Sequence, residues 1–134
     1  MKVLIAVSAV TTLAVCWLVL AVAPVLAHHS FAAEFDSNLP VSFKGVVTRV
    51  DWRNPHIWIF IDATDSEGRV THWEVEGGPP NSLFRAGWRK DSAKPGDQVT
   101  VEGFRARRKE NAVNMRSMVA TDGTKLFSGQ AEER

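Results

Sequence analysis

Two adjacent histidines follow directly after an apolar stretch, and together they could bind a metal ion. Residues 25–31 read VLAHHSF, with the small residue Ala27 placed as at a signal-peptidase cleavage site. Cleavage after Ala27 would make His28 the first residue of the mature chain. Its α-amine, whose ordinary pKa is about 8, and its imidazole could then bind one ion together near neutral pH.

Copper is the metal that this start of the chain favours. Imidazole suits copper, zinc and nickel, and a nitrogen site binds copper(II) most tightly of the common divalent ions. The amine and ring of His28 with a second imidazole would form the T-shaped arrangement called a histidine brace, which resembles sites in exported copper enzymes and copper carriers. The second imidazole could come from His29, His56 or His72. The sequence therefore predicts a copper cofactor with these four histidines as candidate ligands.

Each of these histidines also has a plainer interpretation. The pair of His28 and His29 could simply tolerate signal processing and fray in solvent. His56 follows an Asn-Pro dipeptide in a predicted turn, where its ring could hydrogen-bond locally. His72 alternates with two glutamates along a predicted strand, so the three side chains share one face. That face could bind a metal or could be an ordinary solvated sheet surface.

The first residues of the chain have the pattern of an export signal. Lys2 supplies a positive start, an apolar run covers residues 3–22, and Pro24 precedes the cleavage site. A run of this length could also span a bilayer as an uncleaved anchor. A lipoprotein is a weaker interpretation, because the bulky Val15 stands directly before Cys16. We therefore expect a periplasmic or secreted bacterial protein that contacts a membrane only through this segment before cleavage.

The composition of the mature chain excludes several classes of function. Cys16 is the only cysteine, so the chain after Ala27 has no disulfide, thiol nucleophile or thiolate ligand. Loss of Lys2 would leave 15 basic residues against 15 acidic ones, and a neutral domain has no general attraction to nucleic acid. No serine elbow, P-loop or metalloprotease helix motif occurs in the sequence. Hydrolytic catalysis therefore has no support in the sequence.

Five strands and one short helix are predicted to position these residues. Gly45 stands where the apolar alternation of the first strand changes phase, which favours a bulge or bend. Asn81 is placed to cap the helix, which continues to Trp88. Three strands, a helix and two strands is the order of the oligonucleotide/oligosaccharide-binding (OB) fold, an all-β five-stranded Greek-key barrel. The predicted strands cover 41–52, 57–64, 69–76, 98–106 and 112–120, with a short sixth at 125–127 and the helix at 81–88.

A small open meander or sandwich is the competing architecture, but a closed barrel leaves fewer exposed strand edges. We divide the chain into a signal peptide at 1–27, a lead-in segment at 28–40, an OB-like barrel at 41–127 and a flexible tail at 128–134. The residues predicted to form the core are Val47, Ile59, Trp73, Val75, Val99 and Val101.

One face of the second predicted strand could form a ligand surface. Trp58 and Phe60 share this face, and Asn54 and His56 lie in the loop that borders the usual ligand surface of an OB fold. The two rings could stack on a ligand, or they could form the second buried face of a strand that is covered on both sides. The basic run at 105–110 is interpreted as a solvated loop, because glutamates flank it.

Six short motifs are spread over nearly the whole mature chain. They are HHSF at 28–31, EFD at 34–36, GVVT at 45–48, NPHIW at 54–58, GWRKDS at 87–92 and KPGD at 94–97. These motifs resemble a family of small exported bacterial proteins of unknown function. The resemblance implies a periplasmic or secreted domain and supplies no catalytic residues. It also implies that the two-histidine start and the Asn-Pro-His turn belong to the recurring pattern of the family.

The sequence thus favours an exported periplasmic binding module that holds copper through a mature N-terminal histidine. Its partner would be an envelope protein or a small ligand. Two alternatives remain open at this point. The first is a metal-free envelope interaction protein that uses an exposed aromatic sheet face, and the second is a copper-dependent oxidative enzyme.

Overall fold

Strands make up most of the part of the chain that the computed structural model describes, which is residues 31–128. The predictions for the signal peptide, for His28 and His29, and for residues 129–134 of the tail lie outside these described residues. The helices are α1 (Phe31–Glu34) and α2 (Pro80–Arg85). The strands are β1 (Phe35–Asp51), β2 (Trp58–Thr64), β3 (Val70–Glu76), β4 (Gln98–Ala106), β5 (Ala112–Ala120) and β6 (Lys125–Ser128).

Five of these strands close into a barrel. Strand β1 pairs antiparallel with β4 over residues 35–46 and with β2 over residues 46–51. Strand β3 pairs antiparallel with β2 and parallel with β5, which completes the ring through β4. Helix α2 lies between β3 and β4 in the chain, and β6 extends the sheet beside β5. The OB-like barrel is therefore confirmed, because an open meander would lack the parallel pairing of β3 with β5.

The first strand begins earlier than its sequence pattern predicted. It starts at Phe35 rather than Val41, so part of the expected lead-in segment belongs to β1 and is attached to β4 through Phe35 and Pro40. The register places Phe35 opposite Ala106 and Pro40 opposite Phe104, with an irregularity between the two pairs. Residues 36–39 between them are largely exposed and include one apolar side chain, that of Leu39, so they show no apolar alternation. The pairs on either side of it, Phe35 with Ala106 and Pro40 with Phe104, attach it to the far end of β4.

The bulge in β1 also lies elsewhere than expected. The register with β2 shifts between Val47 and Arg49, not at Gly45. The apolar phase therefore changes at Thr48, whose hydroxyl donates to the carbonyl oxygen of Phe60 at 3.2 Å. Gly45 is needed for a different reason: a Cβ there would come within 2.6 Å of the carbonyl oxygen of residue 62 on β2. The glycine thus permits a close crossing of two strands instead of a bulge.

The barrel interior holds the apolar core, and all six predicted core residues are buried in it. Phe43 stacks on Trp73 with the ring centroids 4.5 Å apart, which fills one part of the interior. Burial of each large side chain contributes about 1.5–3 kcal/mol. The residues that form this cluster are Val47, Ile57, Ile59, Ile61, Trp73, Val75, Leu83, Trp88, Ala93, Val99, Val101, Val113, Met115 and Met118.

Helix α2 is shorter than predicted and is not capped by Asn81. Pro79 occupies the N-cap position, and no side chain bonds the first turn. The helix ends at Arg85 rather than at Trp88; Trp88 is buried, while Phe84 stays exposed. The Nη1 group of Arg89 donates to the carbonyl oxygens of Phe84 and Trp88 and so satisfies the end of the helix. Within residues 31–128, neither helix has the length and apolar character needed to cross a bilayer.

Candidate functional site

His56 and Glu76 form a contact between the β1–β2 loop (residues 52–57) and the last residue of β3. The Nδ1–H group of His56 donates to Oε1 of Glu76. Glu76 is 4 % exposed and is the one charged residue buried in the described part of the chain. A buried carboxylate is costly unless it is hydrogen-bonded and paired. The imidazole of His56 is therefore part of what allows this carboxylate to be buried.

The backbone on both sides holds the two side chains together. The amide of Ile57 donates to the carbonyl oxygen of Gly78 at 3.3 Å, and the amide of Gly77 donates back to Ile57 at 3.0 Å. The side chain of Ile57 is fully buried in the core, which anchors the loop directly after His56. A Cβ on Gly77 would lie 2.6 Å from Cγ1 of Ile57. The glycine after Glu76 is thus required for the loop to approach β3 this closely.

The contact leaves one nitrogen of His56 available for chemistry. An ionised carboxylate can only accept hydrogen bonds, so the neutral imidazole that pairs with it has its proton on Nδ1 and its free lone pair on Nε2. The side chain of His56 is 42 % exposed, against 5 % for that of Glu76. Metal-binding histidines commonly donate their second ring N–H to a carboxylate in this way, which fixes the ring and raises its basicity. The arrangement can hold a metal or accept a proton at Nε2.

His72 lies on the exposed face of β3 and pairs with a different carboxylate. Its Nδ1 donates to Oδ1 of Asp62 at 2.7 Å. The two glutamates that alternate with it are engaged elsewhere, since Glu74 binds Nζ of Lys109 at 2.6 Å and Glu76 binds His56. The residues of this strand face therefore do not converge on one point. No group of three His, Cys, Asp or Glu side chains suited to a metal occurs within residues 31–128.

The candidate ligand surface lies on the outside of the barrel. Trp58 and Phe60 point away from the core, since the isoleucines that alternate with them are buried, and both rings are half-buried. The guanidinium of Arg49 lies 3.8 Å from the ring centre of Phe60. Asn54 is exposed in the loop and joins Pro55 through a cis peptide bond. Trp58 stands directly opposite Glu76, so this surface adjoins the His56 contact.

The start of the described chain is fixed to the β4–β5 loop (residues 107–111). The backbone amide of Arg107 donates to the carbonyl oxygen of Glu34 at 2.8 Å. The guanidinium of Arg107 donates through Nε to the carbonyl oxygen of Ala32 and through Nη1 to Oδ2 of Asp36, each at 2.9 Å. Arg107 thus contacts α1 and the second residue of β1 through three hydrogen bonds.

Aromatic rings also pack against the start of the described chain. The ring of Phe31 lies 5.8 Å from the rings of both Phe35 and Phe104. The first contact is stacked and the second is edge-on, which are the favoured geometries for aromatic pairs. The guanidinium of Arg116 lies 5.3 Å from the ring centre of Phe104. The residue that begins the described chain is therefore packed on the outer surface of β4.

One row of paired residues connects this start of the chain with the His56 contact. Phe104 on β4 is opposite Asn114 on β5, and Asn114 is opposite Glu76 on β3. The row continues from Glu76 to Trp58 on β2. Directly paired residues present their side chains on the same face of a sheet. Phe104 and Glu76 are thus separated by two strand spacings, or about 10 Å, on the outside of the barrel.

Sequence reasoning identified His56 but missed Glu76 as its partner and Arg107 as a contact for the chain start. Glu76 alternates with His72, so it was expected on a solvated face. The double glycine after it was the one available signal that another segment packs closely there. Arg107 was expected in a solvated loop, yet it and Lys109 both form specific ion pairs.

Comparison with known proteins identifies a family for this chain. Residues 15–115 match the family model described as "Family of unknown function (DUF6152)", which covers more than half of the chain. A search of curated proteins finds no match.

Proposed function

We propose that this chain, which belongs to the DUF6152 family of unknown function, is an exported module that binds copper(II) in the bacterial periplasm or outside the cell. His28 would supply its free amine and one ring nitrogen after cleavage at Ala27. A second imidazole would complete the site, and His56 is the residue we propose for it. The export-signal pattern before His28 supports the compartment and the free amine.

The pairing of His56 with Glu76 is the observation that carries this proposal. The buried carboxylate engages Nδ1, so Nε2 is the ring nitrogen that could bind the metal. The following residue, Ile57, is buried in the core, so little backbone freedom is lost when the ring binds an ion. A preorganised ligand binds more tightly because less conformational entropy is lost on binding.

The other two candidate histidines are less suitable as the second ligand. His72 is largely exposed and pairs with Asp62, whose side chain is itself partly exposed, so its ring is held less firmly. His29 is adjacent to His28 in the chain, and two neighbouring residues can bind one ion only if the backbone folds both rings toward it. His56 comes from a separate, anchored loop, which removes that restriction.

Binding is the activity that these ligands support most directly. Two imidazoles and an amine are nitrogen donors, and copper(II) is the divalent ion that such donors favour. A copper-dependent oxidative enzyme would additionally need a reducible copper and a substrate. A metal-free interaction protein would use the outer face of Trp58 and Phe60, where both rings are half-buried. A copper titration distinguishes the binding module, the oxidative enzyme and the metal-free interaction protein.

The test is a copper(II) titration of tag-free protein purified from an exporting host, after its intact mass has been measured. A mass that begins at His28 establishes the free amine, whereas a mass that includes residues 1–27 removes it and contradicts the proposal. The mature protein should bind one copper more tightly than about 1 µM. A variant with one added residue before His28 keeps every side chain but moves the amine, so it should bind far more weakly.

Matched histidine variants test the second ligand. His56→Ala should weaken copper binding, whereas His72→Ala should leave it unchanged, although both remove an imidazole from the same barrel. Equal binding by the mature and extended proteins would show that the amine is not a ligand. In that case, or if the mature protein binds no more tightly than micromolar, the chain is better described as an exported interaction domain. Substrate oxidation by the copper-loaded protein would instead identify an enzyme.

A further inference from the structure

The surface around α2 combines an exposed aromatic ring with a group of cations. We call Phe84, Arg85, Arg89 and Lys90 together the α2 surface. We infer that this surface docks on an anionic lipid bilayer, with the ring of Phe84 in the headgroup region and the cations on lipid phosphates. The inference goes beyond copper binding and does not depend on it. It adds a reversible contact by the folded barrel to the membrane contact predicted for residues 1–27 before cleavage.

Phe84 is the most exposed large apolar side chain among the described residues. It is 57 % exposed, whereas the preceding Leu83 is 3 % exposed and packs in the core. The guanidinium of Arg89 lies 3.9 Å from the centre of the Phe84 ring. Trp88 is buried and stacks on Trp52 with the ring centroids 6.5 Å apart. Buried side chains on both sides thus anchor the backbone, while the ring of Phe84 stays outside the barrel.

The cations beside Phe84 have no carboxylate partner in the described part of the chain. Arg85, Arg89 and Lys90 are exposed, and no ion pair within residues 31–128 includes them. Residues 84–97 contain four cationic side chains against two carboxylates, those of Asp91 and Asp97. The segment is therefore locally positive, although the chain after Ala27 has equal numbers of basic and acidic residues. Guanidinium and ammonium groups of this kind form strong hydrogen bonds with phosphate oxygens.

The opposite end of β3 has a negative net charge. The β2–β3 turn (residues 65–69) holds Asp65 and Glu67 against one cation, Arg69. Strand β3 has seven residues and is about 20 Å long, and it runs from this turn to the segment that leads into α2. The stacking of Trp52 on Trp88 keeps α2 at that far end. An anionic surface would therefore attract the α2 end and repel the turn, which orients the molecule.

A lipid bilayer fits the α2 surface better than a protein partner does. A stable protein interface buries about 800 Å² on each partner. The other exposed large apolar side chains of the described residues are Leu39 and Val46 on β1 and Val70 at the start of β3, so they do not extend the apolar area around Phe84. One ring with several cations is instead the composition that holds peripheral segments at anionic bilayers. Such a contact is weak and reversible.

Flotation of metal-free mature protein with vesicles tests the inference. The protein should bind vesicles of phosphatidylglycerol and phosphatidylcholine in equal parts but not vesicles of phosphatidylcholine alone, and added salt should weaken the binding. Phe84→Ala should weaken it by about 10-fold or more, because the buried apolar area of the ring is lost. Leu39→Ala is the matched control, since Leu39 is exposed on β1, and it should bind normally. Equal losses for both variants, or no binding by the unaltered protein, would overturn the inference.

Charge variants test the contribution of the cations. Arg85→Ala and Lys90→Ala should each weaken vesicle binding by about 5-fold, the effect of one cation near an anionic bilayer. Arg85→Lys should bind normally, because it keeps the charge. Arg108→Ala removes the same charge from the exposed β4–β5 loop and should leave binding unchanged. A loss in Arg108→Ala as large as in Arg85→Ala would show that net charge alone drives binding, and it would overturn the inference. Denaturant unfolding should be unaltered in all of these exposed variants.

Nitroxide probes show which end of the barrel meets the bilayer. Ala86→Cys lies beside Phe84 and Ser66→Cys lies in the β2–β3 turn, and both positions are exposed. A lipid-soluble relaxation agent should reach the probe at residue 86 on mixed vesicles but not the probe at residue 66. With Cys16→Ser, the same readout applies to a chain that retains residues 1–27. Equal access to both probes, or binding to polyglutamate without binding to vesicles, would overturn the inference, and the second result would assign the surface to an acidic protein partner.

Discussion

Two imidazole–carboxylate pairs lie on the outside of the same barrel, and they differ mainly in the burial of the carboxylate. In the first pair the side chains of His56 and Glu76 are 42 % and 5 % exposed. In the second pair the side chains of His72 and Asp62 are 79 % and 36 % exposed. Both histidines contact their carboxylate through Nδ1, so in both rings Nε2 is the nitrogen that the carboxylate does not engage. The chemistry of the groups is the same, and the surroundings differ.

The difference shows how burial changes the role of a hydrogen bond. Asp62 can exchange its imidazole partner for water, so an exposed pair of this kind contributes only about 0–1 kcal/mol. Glu76 has no such exchange available, because its side chain is almost fully removed from solvent. Loss of the partner would leave a buried charge without compensation. We therefore expect the ring of His56 to be held more firmly than the ring of His72.

Removal of each histidine should give the largest contrast between the pairs. His56→Ala should lower the free energy of unfolding by about 2–4 kcal/mol, because Glu76 then stays buried without its partner. His72→Ala should change it by less than about 0.5 kcal/mol. Denaturant unfolding of metal-free mature protein measures both. Adding Glu76→Gln to His56→Ala should recover part of the loss, and equal losses for the two single variants would contradict the comparison.

Replacement of each carboxylate should have a smaller effect than removal of its histidine. The quantity that should change is which ring nitrogen of the histidine carries the proton. At a pH where the rings are neutral, ¹⁵N NMR should show His56 protonated at Nδ1, and Glu76→Gln should weaken that preference because a neutral amide is a weaker acceptor. Copper binding should then weaken by about 10-fold or more. Asp62→Asn is the matched variant and should leave copper affinity unchanged. An unaltered His56 ring in Glu76→Gln would show that the loop backbone alone sets its orientation.

Asp65, a third carboxylate that is exposed in the β2–β3 turn, should have the smallest effect on stability. The backbone amide and the side chain of Arg69 hold the pKa of Asp65 below its ordinary value, with a further contribution from the amide of Glu67. Because the folded-state pKa is lowered, this carboxylate stabilises the fold above its ordinary pKa, and the contribution is lost as the pH falls through the lowered value.

Arg69→Ala tests how much the side chain of Arg69 lowers the pKa of Asp65. It removes the guanidinium donor but keeps the backbone donors, so the pKa of Asp65 should rise only part of the way to its ordinary value. Carboxyl NMR titration measures the shift, and unfolding at neutral pH should hardly change because the pair is exposed. A loss of stability comparable to that of His56→Ala would show that solvent exposure does not decide the strength of these pairs.

The architecture of the barrel was largely readable from local sequence patterns. Strands β4 and β5 lie at the predicted residues, and β2 and β3 each begin one residue late, because alternation and turn residues are local signals. The start of β1 was not readable, since residues 35–40 show no apolar alternation and are attached to β4 through Phe35 and Pro40. The shift at Thr48 was also hidden, because two consecutive valines before it allow either phase.

The sequence by itself determined which groups could bind a metal, and only the tertiary structure decided which of them are held in place. His56 and His72 are equivalent as residue types, and each has a carboxylate within reach. Their difference arises because Glu76 is covered by a loop 20 residues away in the chain, whereas Asp62 is not. Burial depends on contacts between distant segments, so no local pattern records it. The contacts of Arg107 could not be predicted for the same reason, because its partners Ala32 and Asp36 lie more than 70 residues before it.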